Sequence, residues 1–257
     1  MSFIFGLFTE TPFLILPVNW TGWLGLLLWL GAIAALLKNW NHYNKPWTQS
    51  RWLLLLGLLA GTPLTGLLLG IRLPAWNELP PPNIALEPVG SALMLLASLP
   101  WVLAAGLLGP LPAAGLAAFS GGFLAYWDTH SVFTPLEYAT LAIIFSVFVM
   151  QRYRTRSYAL LRSPFFAAIV VVFLYPAIVF PGNVFITQGS LATRIDYAAS
   201  LIPSMMAAAG GMVLISGMVA EIVRGVRPRI WGGQPPWLPS PAESRLSSRL
   251  IFSLVPL

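Results

Sequence analysis

The 257-residue chain contains no cysteine, only two histidines, and only 9% charged residues. Without cysteine there are no disulfides, no thiolate metal sites and no cysteine nucleophile. The histidines, His42 and His130, fall on opposite sides of the layout derived below, so they cannot share a metal or ligate both faces of one haem. No lysine follows Lys45, which leaves the later apolar segments without an amine for a retinal Schiff base. No phosphate-binding glycine loop, dinucleotide turn, HExxH pair or nucleophile elbow occurs, so no catalytic residue is assigned. The sequence specifies no metal and no cofactor.

Apolar sequence is what the chain has in abundance. It is 57% hydrophobic, with a mean hydropathy of +0.78. Soluble domains carry roughly 25% charged residues, and a soluble core of this size would not hide so much apolar surface. A bilayer removes the difficulty, because lipid-facing side chains need no burial in protein. Residues 18–37 form an uncharged stretch of the length that crosses a membrane, with Trp20, Trp23 and Trp40 near its ends as an aromatic belt. Further spans are expected at 52–71, 86–107, 113–127, 134–150, 165–180 and 197–223, with Pro181-Gly182-Asn183 closing the sixth. Residues 1–17 lack Lys and Arg, so they read as an exterior, interfacial segment with Phe3, Phe5, Leu7 and Phe8 as apolar contacts.

Charge sets the orientation. Of the fourteen Lys and Arg, twelve fall in loops on one side: Lys38, Lys45, Arg51, Arg152, Arg154, Arg156, Arg162, Arg224, Arg227, Arg229, Arg245 and Arg249. Only Arg72 and Arg194 lie on the other, where six of the eight acids also fall: Glu10, Glu78, Glu87, Asp128, Glu137 and Asp196. The positive-inside rule makes the basic side cytoplasmic. It also accounts for the net charge of +6 without nucleic acid. The expected fold is therefore all-α: a polytopic membrane bundle of seven helices with an exterior N-terminus. Residues 18–223 form the bundle, and 224–248 a basic, Pro/Gly-rich cytoplasmic linker. Residues 249–257 begin either a truncated eighth span or an amphipathic anchor on the cytoplasmic face.

Small residues point to close helix packing. Gly57/Gly61 and Gly66/Gly70 are GxxxG pairs on opposite faces of the second span, with Pro63 between them as a kink. Ala114, Ala118, Gly121 and Gly122 lie on two neighbouring ridges of the fourth span, which places that helix at the centre. Almost no ionisable residue lies deep in a span, which disfavours ion-coupled carriers. The polar cluster of interest is exterior: Glu87, Asp128, His130 and Glu137, with Tyr126 and Trp127 as a stacking wall. It has two readings. One is helix capping, with Thr134 as N-cap and Glu137 closing a capping box. The other is a shallow exterior vestibule for a ligand or cation, in which Asp128 and His130 sense pH or coordinate a cation, since histidine titrates near neutrality.

The small-residue stretch 109–124 followed by Thr134-Pro135-Leu136-Glu137 resembles hairpins in the multi-span sensor regions of bacterial kinases and diguanylate cyclases. It is also similar to substrate-binding subunits of energy-coupling-factor vitamin transporters. The segment 244–257 resembles the opening of the first signalling helix of such sensors. The first resemblance implies a bacterial inner-membrane input module that couples an exterior or intramembrane signal to a signalling region. The second implies a solute-capturing transport subunit, and an accessory subunit of a larger membrane complex is the third reading. The implied partners are the lipid bilayer, a small exterior ligand, and a second copy or a cytoplasmic signalling protein.

Overall fold

The computed structural model describes residues 4–74 and 90–240. The fold is a helical bundle with a small three-stranded sheet at one end. Its elements run β1 (Ile4–Phe5), α1 (Trp20–Asn39), α2 (Gln49–Leu67), β2 (Gly70–Arg72), β3 (Ala92–Met94), α3 (Leu99–Leu107), α4 (Pro110–Trp127), α5 (Thr134–Met150), α6 (Arg156–Leu161), α7 (Pro164–Ile186) and α8 (Leu191–Val226). Among the described residues four helices, α1, α2, α7 and α8, are long and apolar enough to cross a membrane. The shorter α5 is also apolar, and α4 is rich in Ala, Gly and Pro. Helices α3, α4, α5, α7 and α8 supply most of the buried core, whereas α1 and α2 lie at its edge. A helix surrounded by protein gains more from small residues that allow close approach than from bulk hydrophobicity.

Gly121 shows this directly. A Cβ there would lie 3.0 Å from the Pro135 Cα and 3.1 Å from the Thr134 carbonyl oxygen, so only glycine lets α4 and α5 meet at this height. Ala114 packs with Ala139 and Ile143 of α5, and Ala118 lies against the same cluster. The fourth helix packs closely on α5 along this ridge, but its face with Leu111, Phe119 and Tyr126 is exposed, so it is not enclosed on all sides as a central position implies. Gly122, Gly57 and Gly61 face open space instead. Gly66 meets Phe123 of α4 at 3.6 Å, but Gly70 lies in β2, beyond the end of α2. Gly66/Gly70 is therefore not a helical pair, because the chain leaves α2 at Leu67 to join the sheet.

The third expected span is not one helix. Its described part consists of β3, a turn, and the nine-residue α3. Residues 86–89, with Glu87, lie outside the described residues. Irregular backbone buried in a protein needs hydrogen-bond partners from it, and several are present. Ser120 Oγ donates to the Ala97 carbonyl at 2.8 Å, and Leu95 N–H to the Leu69 carbonyl at 3.0 Å. Two carbonyls of the last turn of α3 are capped from elsewhere: Ser146 Oγ donates to that of Ala105, while Lys45 Nζ and Gly232 N–H both donate to that of Gly106. A cation at a helix C-terminus also complements its dipole.

Two other boundaries differ from expectation. Helix α7 runs through Pro176 and Pro181 to Ile186 rather than closing at Pro181-Gly182-Asn183. Its final carbonyls, which have no partner within the helix, are held by Thr187 Oγ1 on Asn183 and by the Arg194 guanidinium on Val184 at 2.7 Å. Helix α8 has 36 residues, about 54 Å at ~1.5 Å each, and so exceeds a hydrocarbon layer of roughly 30 Å. At the N-terminus, β1 pairs with β2 and Leu7 is fully buried in the core, whereas Phe8 is exposed. That segment is thus partly built into the fold rather than simply resting on an interface.

Candidate functional site

The expected exterior cluster divides into two separate environments. The first is a clasp at the sheet end. Asp128 terminates α4 and accepts from Arg72 Nη1 at 2.6 Å and from the Ala92 N–H at 3.1 and 3.2 Å. Arg72 also reaches Glu10 at 2.8 Å and the Gly90 carbonyl at 2.9 Å. One carboxylate therefore ties α4 to β2 and β3, and Arg72 ties both to the N-terminal segment. Burial pushes the Asp128 carboxyl up to about 6, with Arg72 and the Ala92 N–H pulling the other way.

His130 belongs to the same end but not to an open vestibule. Its ring stacks on Phe13 at 3.5 Å, and Nδ1 donates to the Phe13 carbonyl at 3.2 Å. The His130 carbonyl accepts from Ile15 N–H, and its backbone is left-handed at φ 53°, a conformation that short polar side chains tolerate best. Burial pushes the imidazole below its usual value, which favours the neutral form. Trp127 packs on Phe123 and Tyr126 rather than forming a wall around Asp128 and His130.

Glu137 occupies the second environment. Helix α5 begins with Phe133 as N-cap, one residue earlier than the capping-box reading requires, and no side chain caps it. Thr134 Oγ1 bonds Thr129 Oγ1 instead. Glu137 is therefore one position too deep to reach back, and it turns into the bundle, 1% exposed. Its Oε2 has no hydrogen-bond partner. A Cβ on Gly182 would lie 2.3 Å from Oε1, so the carboxyl fills a notch that this glycine opens in α7. Tyr138 of α5 lies next to it in sequence and bonds Met212 Sδ of α8 at 3.8 Å, while Asn183 of α7 bonds Met205 Sδ of α8 at 3.2 Å. Glu137 thus stands in the first turn of α5, not deep along it, yet its side chain is enclosed by protein rather than facing an exterior vestibule.

The opposite end of the bundle carries a feature that composition disguised as a linker. Residues 227–240 pack back across it. Trp231 is 4% exposed, with its ring over Gly106, where a Cβ would lie 2.4 Å from it. Gly232 N–H donates to the Gly106 carbonyl and Gly233 N–H to that of Val149. Leu238 exchanges backbone bonds with Arg152 and Arg154, and Arg162 stacks over Trp237 at 4.0 Å. Lys45 completes the seal by donating to the Ile230 carbonyl at 2.6 Å. Burial, with Arg51 nearby, pushes the Lys45 amine down to about 8.

The residues that sequence reasoning missed, Arg72, Gly182, Lys45 and Trp231, each act on a partner far away in the chain. For Arg72 a signal existed: one of only two cations on the acidic side requires a carboxylate. Compared with family models, curated proteins and solved structures, the chain matches none.

Proposed function

We propose that this chain is an integral membrane input module that converts a change in helix packing near Glu137 into movement of the segment following residue 240. In this reading it crosses the cell membrane seven times, with β3 and α3 as a broken third crossing, the N-terminus outside and the basic end in the cytoplasm. The loops joining α1 to α2, α3 to α4 and α5 to α7, and the strap after α8, meet at one end, and most Lys and Arg lie with them. That segregation supports the sidedness.

The observation that carries the function is the reach of α5. Near its start it bears Glu137, lodged in the Gly182 notch of α7; near its end the Val149 carbonyl holds the strap through Gly233 N–H. Twelve residues of helix separate the two, about 18 Å at ~1.5 Å per residue. A packed core switches between discrete arrangements rather than deforming smoothly, so separating α5 from α7 at the notch would displace the strap. The transport reading calls for an open cytoplasmic groove along residues 152–162. The strap touches that stretch through Leu238, Trp237 and Ser240, while Arg152, Arg154, Arg156 and Leu160 stay exposed, so the input reading rests on the α5 link and not on closure of this surface.

Hydrogen exchange tests this. Gly182→Ala forces a methyl against the Glu137 carboxyl. The expected result is faster exchange at Gly232, Gly233 and Leu238 as well as at the α5–α7 contact. Faster exchange confined to that contact would show that the strap is not coupled to it.

A further inference from the structure

We infer that the basic end of the bundle carries a peptide-docking groove specific for an aromatic-Gly-Gly segment, filled in cis by residues 229–240 and open to the same segment of a second copy. The inference goes beyond the input reading and rests on how the strap is seated, not on its coupling to Glu137.

The strap is held as a bound peptide is held, mostly through its backbone. Gly232 N–H donates to the Gly106 carbonyl at 2.8 Å, Gly233 N–H to that of Val149 at 3.0 Å and Leu238 N–H to that of Arg152 at 2.8 Å. The Leu238 carbonyl accepts in return from Arg154 N–H at 3.0 Å. Leu238 and Tyr153 thereby form a short parallel bridge, the pairing by which extended peptides add to an exposed backbone. Lys45 Nζ donates to the Ile230 carbonyl and Thr155 Oγ1 to Ser240 Oγ. Bonds of the backbone type give affinity without choosing a sequence.

Three consecutive positions choose it. Trp231 is buried, whereas Ile230, Trp237 and Leu238 are exposed, so one ring anchors the segment. That ring fits because Gly106 has no Cβ to meet it. A Cβ at Gly232 would lie 2.5 Å from the Val149 carbonyl oxygen. One at Gly233 would lie 2.4 Å from those of Met150 and Gln151. Gly232 is also left-handed, at φ 59°, where side chains are strained. The groove therefore accepts a large planar ring followed by two residues without side chains.

The partners just named lie on α3, α5 and the loops after α1 and α5, not on α8, from which the strap departs. It leaves through Arg227-Pro228-Arg229, all exposed. An identical segment from a second copy makes the same contacts, which is why exchange of elements between copies costs little. The short tether gives the cis strap an effective concentration of about millimolar, so exchange grows with the local density of the chain.

The test uses the full chain in detergent with Trp231→Ala, which removes the cis anchor, and a fluorescent synthetic peptide of residues 229–240. The expected result is one peptide per chain, bound at least about tenfold more tightly than by the unsubstituted protein, whose groove is already filled. Peptides carrying Trp231→Ala or Gly233→Ala should bind at least about tenfold more weakly than the unsubstituted peptide. Full-length Gly233→Ala loosens the cis strap by another route and serves if Trp231→Ala does not fold. Equal binding of the three peptides, or no binding to either protein variant, overturns the inference. Because the chain lacks cysteine, Thr155→Cys and Ser240→Cys in separate co-expressed chains report exchange. Oxidation should give a mixed dimer several-fold above the dimer formed by the Thr155→Cys chain alone, while both substitutions in one chain close within it. A mixed dimer no more abundant than that control overturns the second copy as occupant. None of these readouts involves Glu137, so their failure leaves the input reading to its own exchange experiment.

Discussion

The Glu137 carboxyl on α5 is seated against the bare Cα of Gly182 on α7, so closely that a Cβ there would stand 2.3 Å from Oε1 and 3.1 Å from the Phe133 Cβ. Glycine at 182 is thus required by Glu137 rather than by a turn. Gly182→Ala is expected to destabilise the protein by about 1–3 kcal/mol through overpacking. Adding Glu137→Ala should recover much of that loss, a non-additivity that a double-mutant cycle in detergent measures.

Asp128 and Arg72 form the ionic part of the sheet-end clasp. Asp128→Asn keeps the hydrogen-bonding shape but removes the charge that faces Arg72, which still reaches Glu10. Breaking a buried pair costs roughly 3–5 kcal/mol. Arg72 is 24% exposed, so screening reduces the expected loss to about 2 kcal/mol. Faster exchange at the Ala92 amide is the local readout.

Lys45 makes stability depend on pH in the alkaline range. Its amine titrates near 8 in the fold against 10.5 when unperturbed. Below about 8 both folded and unfolded chains carry the proton. Between about 8 and 10.5 the unfolded chain binds more protons, so stability from this group rises with pH. Lys45→Met should remove that rise, which unfolding midpoints across the window would reveal.

Trp231 anchors the strap. Trp231→Ala should cost about 3–5 kcal/mol, as removal of a large buried ring does. It should also expose residues 232–238 to exchange. Loss of stability without exposure of the strap would mean that the backbone bonds of Gly232, Gly233 and Leu238 hold it unaided.

Two glycines with the same sequence signature should behave oppositely. Gly57→Leu on α2 meets nothing within 4 Å, so monomer stability should change by less than about 0.5 kcal/mol. Gly121→Leu drives a side chain into Pro135 and Thr134 of α5 and should cost about 3 kcal/mol or more. Unfolding curves of the two variants give the comparison.

That contrast shows where sequence stops. Hydropathy and charge are carried by each segment alone, so the chain by itself determined the helical class, the positions of α1, α4 and α5 to within a few residues, and the separation of basic from acidic loops. Gly121 was legible because its ridge of small residues repeats along one helix. Gly57 has the same spacing but no neighbour, and spacing does not say what stands opposite.

Only the tertiary structure decided the break before α3, the inward turn of Glu137 and the docking of residues 227–240. Each depends on a group distant in sequence: Ser120 and Ser146 satisfying irregular backbone, Gly182 making room for a carboxyl, Gly106 admitting an indole. A buried polar or bulky group survives only where its surroundings accommodate it, and those surroundings are assembled from elements that meet only once the chain has folded.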